Sequence, residues 1–181
     1  MARLRLRTRV QSEEFTYPGT GEVVSLPTYR LFIGLHFVPP TARRDWKPTD
    51  RIDQMRRFDA VVDTGAMLTN IPYDVWEPFA SEIEWPATIP AQNIVQVAGT
   101  SLTYQLGRVM LAAIDNENRW MEPAWTVARC WHFCENALPP LLGLTSPFFM
   151  NHRRLRHAGS TEKDANEKLP EWWLEDPSWW S

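Results

Sequence analysis

The sequence contains little cysteine and no long apolar run. Its 2 cysteines among 181 residues are too few for a disulfide framework. On one strand, Cys130 and Cys134 would also lie too far apart to bridge. No stretch approaches the roughly 18 apolar residues of a membrane-spanning helix, and the first residues lack the apolar segment of a signal peptide. These absences favour a cytoplasmic protein with no membrane partner.

The composition also disfavours long helices and several large enzyme classes. The chain has 8 Gly, 15 Pro and 12% aromatic residues, and proline is excluded from helix interiors and central strands. This balance favours many short strands and turns. The sequence holds no Walker loop, Gly-x-Ser-x-Gly motif, dinucleotide-binding fingerprint or internal repeat. With 44% apolar residues and a net charge of −3, one soluble, β-rich domain is expected.

One motif stands out, an apolar run that ends in Asp-Thr-Gly: Phe58-Asp59-Ala60-Val61-Val62-Asp63-Thr64-Gly65-Ala66. The run predicts a buried strand with the carboxylate of Asp63 at its end. An enzyme that hydrolyses peptides without a metal or a covalent nucleophile needs two carboxyl groups that share one proton. One draws a proton from water and the other gives a proton to the substrate carbonyl. The motif therefore predicts half of an aspartic protease site.

The second half of such a site is missing from the chain. No other Asp-Thr-Gly and no Asp-Ser-Gly occurs in the sequence. The second carboxyl must then come from a second chain. An isologous dimer brings Asp63 of each subunit to the same point on the two-fold axis, so the sequence predicts a homodimer.

Hydrophobic alternation and turn residues predict the other elements. Residues 3–10 alternate apolar residues with arginines and predict a first strand. Further strands are expected at residues 23–26, 29–38, 93–98, 101–113 and 120–131, the last broken at Pro123. A turn is expected at residues 115–118. Short helices are expected at residues 71–79, with Pro72 in the first turn, and at residues 145–155, with Ser146 as N-cap.

The charged segments set the domain boundaries. Residues 41–57 are polar without a clear period and predict a surface insertion within a domain that spans residues 1–158. Residues 159–181 form an acidic, Trp-rich tail that is expected to be flexible. The alternative is that the tryptophans of this tail dock on the domain or on a partner.

The order of these elements resembles the retropepsin-like aspartic proteases, a homodimeric family with retroviral and bacterial members. The resemblance covers residues 28–157. It rests on the Asp63 motif, on a Gly-tipped hairpin downstream, and on Pro140-Leu141-Leu142-Gly143-Leu144 followed by a helix. It implies an all-β half-barrel, one lobe per chain, completed by homodimerisation. It also implies an endopeptidase that acts on protein or peptide substrates without a metal or an organic cofactor.

The resemblance also implies roles for individual residues. Asp63 is the catalytic carboxyl, and Thr64 braces the partner subunit through its hydroxyl. Gly65 lets the backbone lie against the carboxylates, and Ala66 lines the start of the substrate cleft. The implied flap residues are Ala98, Gly99, Thr100 and Ser101.

A second motif of the family lies downstream of the flap. Leu141, Leu142 and Gly143 resemble the family's apolar-apolar-Gly element, which packs against the Asp63 loop. Many viral members have Arg-Asp or Arg-Asn after this glycine, and this chain has Leu144-Thr145. The ion pair that the arginine makes in those members is therefore absent.

Three alternatives remain beside this interpretation. The same fold can serve as a catalytically inactive dimerisation or peptide-binding module. Cys130, His132 and Cys134 would share one strand face and could ligate zinc, although no fourth ligand is evident. The arginines of residues 3–9 and 153–156 suggest a nucleic-acid surface. A pI near 5.8 argues against this surface, so neither nucleic acid nor metal is expected.

Overall fold

The computed structural model describes residues 3–41, 56–63, 65–87, 93–97, 100–132, 139–143, 145–146, 148, 154–158 and 171–175. They form ten strands: β1 (Arg3–Thr16), β2 (Val23–Phe37), β3 (Arg57–Val62), β4 (Thr69–Ile71), β5 (Asn93–Val97), β6 (Thr100–Ile114), β7 (Trp120–Trp131), β8 (Leu141–Leu142), β9 (Arg154–Ala158) and β10 (Glu171–Glu175). One helical turn, α1 (Tyr73–Trp76), continues as a 3-10 segment (Glu77–Glu82). The predicted all-β class is confirmed.

Six of these strands close into a barrel, in the order β2, β3, β8, β4, β7 and β6. The ring closes because the same part of β2 pairs with β3 on one side and with β6 on the other. Gly34 lies at this closure, opposite both Asp59 and Ile114. A Cβ at Gly34 would stand 2.7 Å from the carbonyl oxygen of Ile114, so only glycine allows this approach.

The core lies inside the barrel and extends under β1. In β1, Leu4 and Leu6 are buried while Arg5 is exposed, as the alternation predicts. In β2, every residue from 33 to 37 is buried, so both faces of this part of the strand are covered. Ile71 on β4 and Leu142 on β8 are fully buried in the same core. The short strands of the barrel are therefore held by apolar contacts as well as by hydrogen bonds.

Two prolines that predict breaks lie inside continuous strands. Residues 23–26 and 29–38 were predicted as two strands, yet β2 runs through Pro27, which pairs with Ser12 of β1. β3 pairs with β2 only from Phe32 to His36, so on the side of β2 that faces β3 no described strand pairs with Pro27. Likewise β7 is not broken at Pro123. The β6–β7 register shifts beside Pro123, and such an irregularity tolerates a residue without an N–H.

The two predicted helices have other bounds than expected. Ile71 ends β4, and the helical segment begins after Pro72 and runs past Phe79 to Glu82. Trp76 of α1 and Phe79 of the 3-10 segment are buried as its apolar face. The Trp76 indole N–H donates to the Trp131 carbonyl oxygen at 2.8 Å and fixes this segment on β7. The expected helix over residues 145–155 is wrong at its end, because β9 already begins at Arg154. No helix among the described residues is long and apolar enough to cross a membrane.

The predicted insertion ends earlier than its assigned boundary at residue 57. Arg57 is the first residue of β3, so the sheet begins inside the range 41–57. Arg56 makes a two-armed ion pair with Glu82, both N–O distances being 2.7 Å. Residues 42–55 lie outside the described part of the chain. The predicted turn at residues 115–118 is confirmed by the bond from the Asn118 N–H to the Asp115 carbonyl.

Part of the predicted flexible tail belongs to the sheet. Glu171–Glu175 forms β10, which lies between β1 and β9 and pairs antiparallel with both. Leu174 is 1% exposed and sits opposite Leu4. The Trp173 ring lies under the guanidinium groups of Arg5 and Arg119, at 5.9 and 5.4 Å. For these five residues the docking alternative holds, since burial of Leu174 and pairing with β1 order them.

A buried carboxylate ties β1 to the turn between β6 and β7. Asp115 accepts the backbone N–H groups of Glu117 and Arg119 at 2.9 Å and that of Arg5 at 3.1 Å. The Arg119 side chain adds a charged bond of 2.7 Å. These four hydrogen bonds satisfy the carboxylate of Asp115, whose charge would be costly to bury without partners. Because Arg5 and Arg119 also contact Trp173, this cluster borders β10 as well.

The burial of Leu174 yields a stability prediction. We expect Leu174→Ala to lower the free energy of unfolding by about 2–5 kcal/mol, because the truncation leaves a cavity between β10 and the core. Ile94→Ala is the control, since Ile94 is 70% exposed and its truncation should cost less than about 1 kcal/mol. Urea denaturation measures both. Equal losses for the two variants would mean that β10 adds little to the fold.

Candidate active site

Asp63 lies directly after the last residue of β3. Its N–H donates to the Leu142 carbonyl oxygen at 3.2 Å, which fixes the residue at the end of β8. Its Oδ1 accepts the N–H of Gly65 at 2.8 Å, and its carbonyl oxygen accepts the N–H of Ala66 at 3.3 Å. The residue is partly exposed. The carboxyl is thus oriented from within its own turn and remains within reach of a ligand.

The residues after Asp63 form a turn, here called the Asp63 loop (residues 63–68). Gly65 is exposed, and a Cβ there would stand 3.2 Å from Oδ1 of Asp63. Ala66 is half-buried and Met67 is 69% exposed. Thr64 lies outside the described residues, so its predicted hydroxyl contact stays a prediction. Among the described motif residues, the structure brings Asp63, Gly65 and Ala66 into one hydrogen-bonded turn.

Strand β8 runs between the two strands that the Asp63 loop connects. It pairs parallel with β3, Val61 opposite Leu141 and Val62 opposite Leu142. On its other side it pairs with β4 through Asn70 and Leu141. The Val61 N–H also reaches the Pro140 carbonyl at 2.8 Å. Leu141 and Leu142 therefore lie at the base of the loop, where the apolar-apolar-Gly motif was expected.

Gly143 touches the backbone of the Asp63 loop. A Cβ at this position would stand 2.4 Å from the carbonyl carbon of Leu68 and 2.9 Å from the carbonyl oxygen of Ala66. No side chain fits at such distances, so glycine is a steric requirement here. The backbone of the Asp63 loop at Ala66 and Leu68 is therefore packed directly against Gly143, the residue that follows β8.

Two residues after Gly143, Thr145 makes a contact that sequence reasoning missed. Its N–H and its hydroxyl both donate to the Met67 carbonyl oxygen, at 2.9 and 2.5 Å. The Ser146 hydroxyl accepts the N–H of Phe148 at 3.4 Å, as an N-cap residue would. Phe148 is fully buried in the core. The only signal in the sequence was that Leu144-Thr145 follows the glycine, where many viral retropepsin-like proteases have Arg-Asp or Arg-Asn.

The predicted flap corresponds to the hairpin of β5 and β6. The two strands pair antiparallel from Asn93 opposite Tyr104 to Val97 opposite Thr100. Ser101 is exposed and pairs with Gln96. Ala98 and Gly99, the predicted tip, lie outside the described residues, and of Thr100 the structure describes only the backbone. The hairpin is present, and its role as a flap stays a prediction.

The alternative metal site has only two described members, Cys130 and His132. Cys130 is fully buried, and burial raises the pKa of its thiol to about 12. Such a thiol holds its proton at neutral pH, and a metal ion would have to displace that proton in order to bind. The His132 ring packs edge-on against Trp76 at 5.6 Å. In the described ranges no three His, Cys, Asp or Glu side chains form a group that could hold a metal ion.

Three arginines of β1 make contacts within the chain. Arg7 forms an ion pair with Asp59 of β3. The Arg9 guanidinium lies 4.9 Å from the centre of the Phe32 ring, and Arg5 stacks on Trp173 as described above. Three of the arginines that suggested a nucleic-acid surface thus have partners within the chain, and the expected absence of a nucleic-acid partner stays a prediction.

Comparison with known proteins adds no assignment. The chain matches no protein-family model, and no curated protein is similar to it in sequence. The resemblance to retropepsin-like proteases therefore rests on the motif residues of the sequence and stays a prediction.

The contact at Gly143 yields a prediction. Gly143→Ala should lower the free energy of unfolding by about 1–3 kcal/mol, because the new methyl group forces the backbone of the Asp63 loop to move. Urea denaturation and backbone NMR shifts of residues 63–68 measure the change. Gly19→Ala is the control. Gly19 has open space and a φ of 99°, so its substitution strains only the β1–β2 turn and should leave the shifts of the Asp63 loop unchanged.

Proposed function

We propose that the chain is an aspartic endopeptidase that acts as a homodimer. The observation that carries this proposal is the setting of Asp63: a partly exposed carboxyl at the end of a barrel strand, on a turn packed against Gly143. A carboxyl that acts on a substrate must be both accessible and held in one orientation. Asp63 meets both conditions within one chain. The second carboxyl is that of Asp63 in a second copy.

In the proposed dimer the two carboxyls hold one water and share one proton. Two like charges at hydrogen-bonding distance are unfavourable, so one carboxyl is ionised and the other is protonated. The ionised carboxyl takes a proton from the water, and the water oxygen attacks the peptide carbonyl carbon. The protonated carboxyl gives its proton to the carbonyl oxygen, and a tetrahedral diol results. The first carboxyl then gives its newly acquired proton to the nitrogen as the C–N bond breaks, and a hydroxyl of the diol returns a proton to the second carboxyl. The amine and a carboxylic acid are released, and the two carboxyls again share one proton.

The mechanism predicts the effect of removing the ionisable group. Asp63→Asn keeps the shape of the side chain and its ability to accept the Gly65 N–H, so the fold should survive. Cleavage of a peptide library should fall by roughly 10³-fold or more, because the two carboxyls act as a unit.

Asp59→Asn is the matched control for this experiment. Asp59 lies on β3, four residues before Asp63, and forms an ion pair with Arg7. The control should cleave like the natural chain. Full activity of Asp63→Asn would disprove the mechanism. A folded protein that binds peptides, with no cleavage by either form, would instead point to the inactive peptide-binding module.

The shared site predicts how mixed subunits behave. When natural and Asp63→Asn chains are mixed in equal amounts and allowed to exchange at constant total concentration, only dimers of two natural chains hold two carboxyls. About a quarter of the activity should remain, since random pairing makes a quarter of the dimers fully natural. Remaining activity of one half would show that each chain acts alone and would refute the shared site.

A further inference from the structure

The Asp63 loop has a second attachment point that the catalytic proposal does not use. Met67 lies four residues after Asp63, and its side chain is 69% exposed. Side-chain packing therefore contributes little to fixing this residue. Its carbonyl oxygen instead receives two hydrogen bonds, from the N–H and from the hydroxyl of Thr145. A carbonyl oxygen has two lone pairs, so these bonds use its full capacity.

We infer that Thr145 is a positioning residue for Asp63, an inference that rests on the proposed function. The first half of the loop is tied to β8 by the bond from Asp63 to Leu142. The second half is tied by Thr145 at Met67. Between these points, Ala66 donates its N–H to the Asp63 carbonyl oxygen. A displacement of Met67 is thus transmitted through Ala66 to the backbone of Asp63.

The hydroxyl of Thr145 is the part of this attachment that the residue type supplies. Any residue except proline would give the N–H bond, but only serine or threonine places a hydroxyl at this distance from the backbone. At the position after Gly143 where viral relatives carry an arginine, this chain has Leu144. The attachment at Met67 is a hydroxyl bond to a backbone carbonyl and involves no charged group. Such a bond is insensitive to salt, unlike an exposed ion pair.

The test compares three variants. Thr145→Val removes the hydroxyl at nearly constant volume, and Thr145→Ser keeps it. Thr126→Val is the matched control, because Thr126 is 2% exposed and its hydroxyl has no partner among the described residues. Hydrogen exchange of the Ala66 amide, kcat and KM for one peptide substrate, and the salt dependence of kcat are measured for each.

Thr145→Val should speed exchange of the Ala66 amide about tenfold, the scale of one lost hydrogen bond. It should lower kcat by roughly 10- to 100-fold and change KM little, because misplacement of a catalytic group affects the chemical step. Thr145→Ser and Thr126→Val should behave like the natural chain, and kcat of the natural chain should not depend on salt.

Natural exchange and natural kcat in Thr145→Val would overturn the inference. So would a defect of equal size in Thr145→Ser, which would assign the effect to the methyl group. If the natural chain does not cleave peptides, the proposed function fails, and the exchange rates alone decide whether Thr145 holds the loop. If Thr145→Val does not fold, exchange of the Thr145 amide in the natural chain decides, since an unprotected amide contradicts its bond to Met67.

Discussion

The two residues of β8 are the constraint on which the barrel and the candidate site both depend. Leu141 and Leu142 pair with β3 on one side and, through Leu141, with β4 on the other. The Asp63 loop joins β3 to β4 along the chain, and among the described residues these two strands do not pair with each other. Without β8 the ring would be open at the point where Asp63 lies. The same backbone bonds that close the sheet therefore fix the start of the loop.

Asp63 and Asp115 have similar local geometry but differ in burial and in the number of hydrogen bonds that they accept. Asp63 and Asp115 both follow a strand, and each accepts the N–H of the residue two positions later, at 2.8 and 2.9 Å. Asp115 is buried with three further donors, so its carboxylate is fully used in joining β1 to the β6–β7 turn. Asp63 is partly exposed on a loop that is held mainly through backbone atoms. This leaves its carboxyl accessible for chemistry.

The sequence predicts those features that depend on nearby residues. The burial of Leu4 and Leu6 and the strand before Asp63 follow from local periodicity. Pro27 and Pro123 mislead, because a proline breaks a strand only where a partner needs its N–H, and that depends on the neighbouring strand. The contact of Thr145 with Met67 joins residues 78 positions apart. No local pattern encodes such a contact, and none encodes the pairing of β10 with β1.

The pairing of β10 with β1 has a consequence for the order of folding. While the chain is being synthesised, β1 can pair with β2 as soon as that strand has emerged from the ribosome. Leu4 and Leu6 stay without their partner strand until Leu174 has been added. Contacts between segments so far apart in the chain form slowly, because the closing loop is long. Until β10 has been made, Leu4 and Leu6 therefore expose apolar surface that can associate with other unfolded chains.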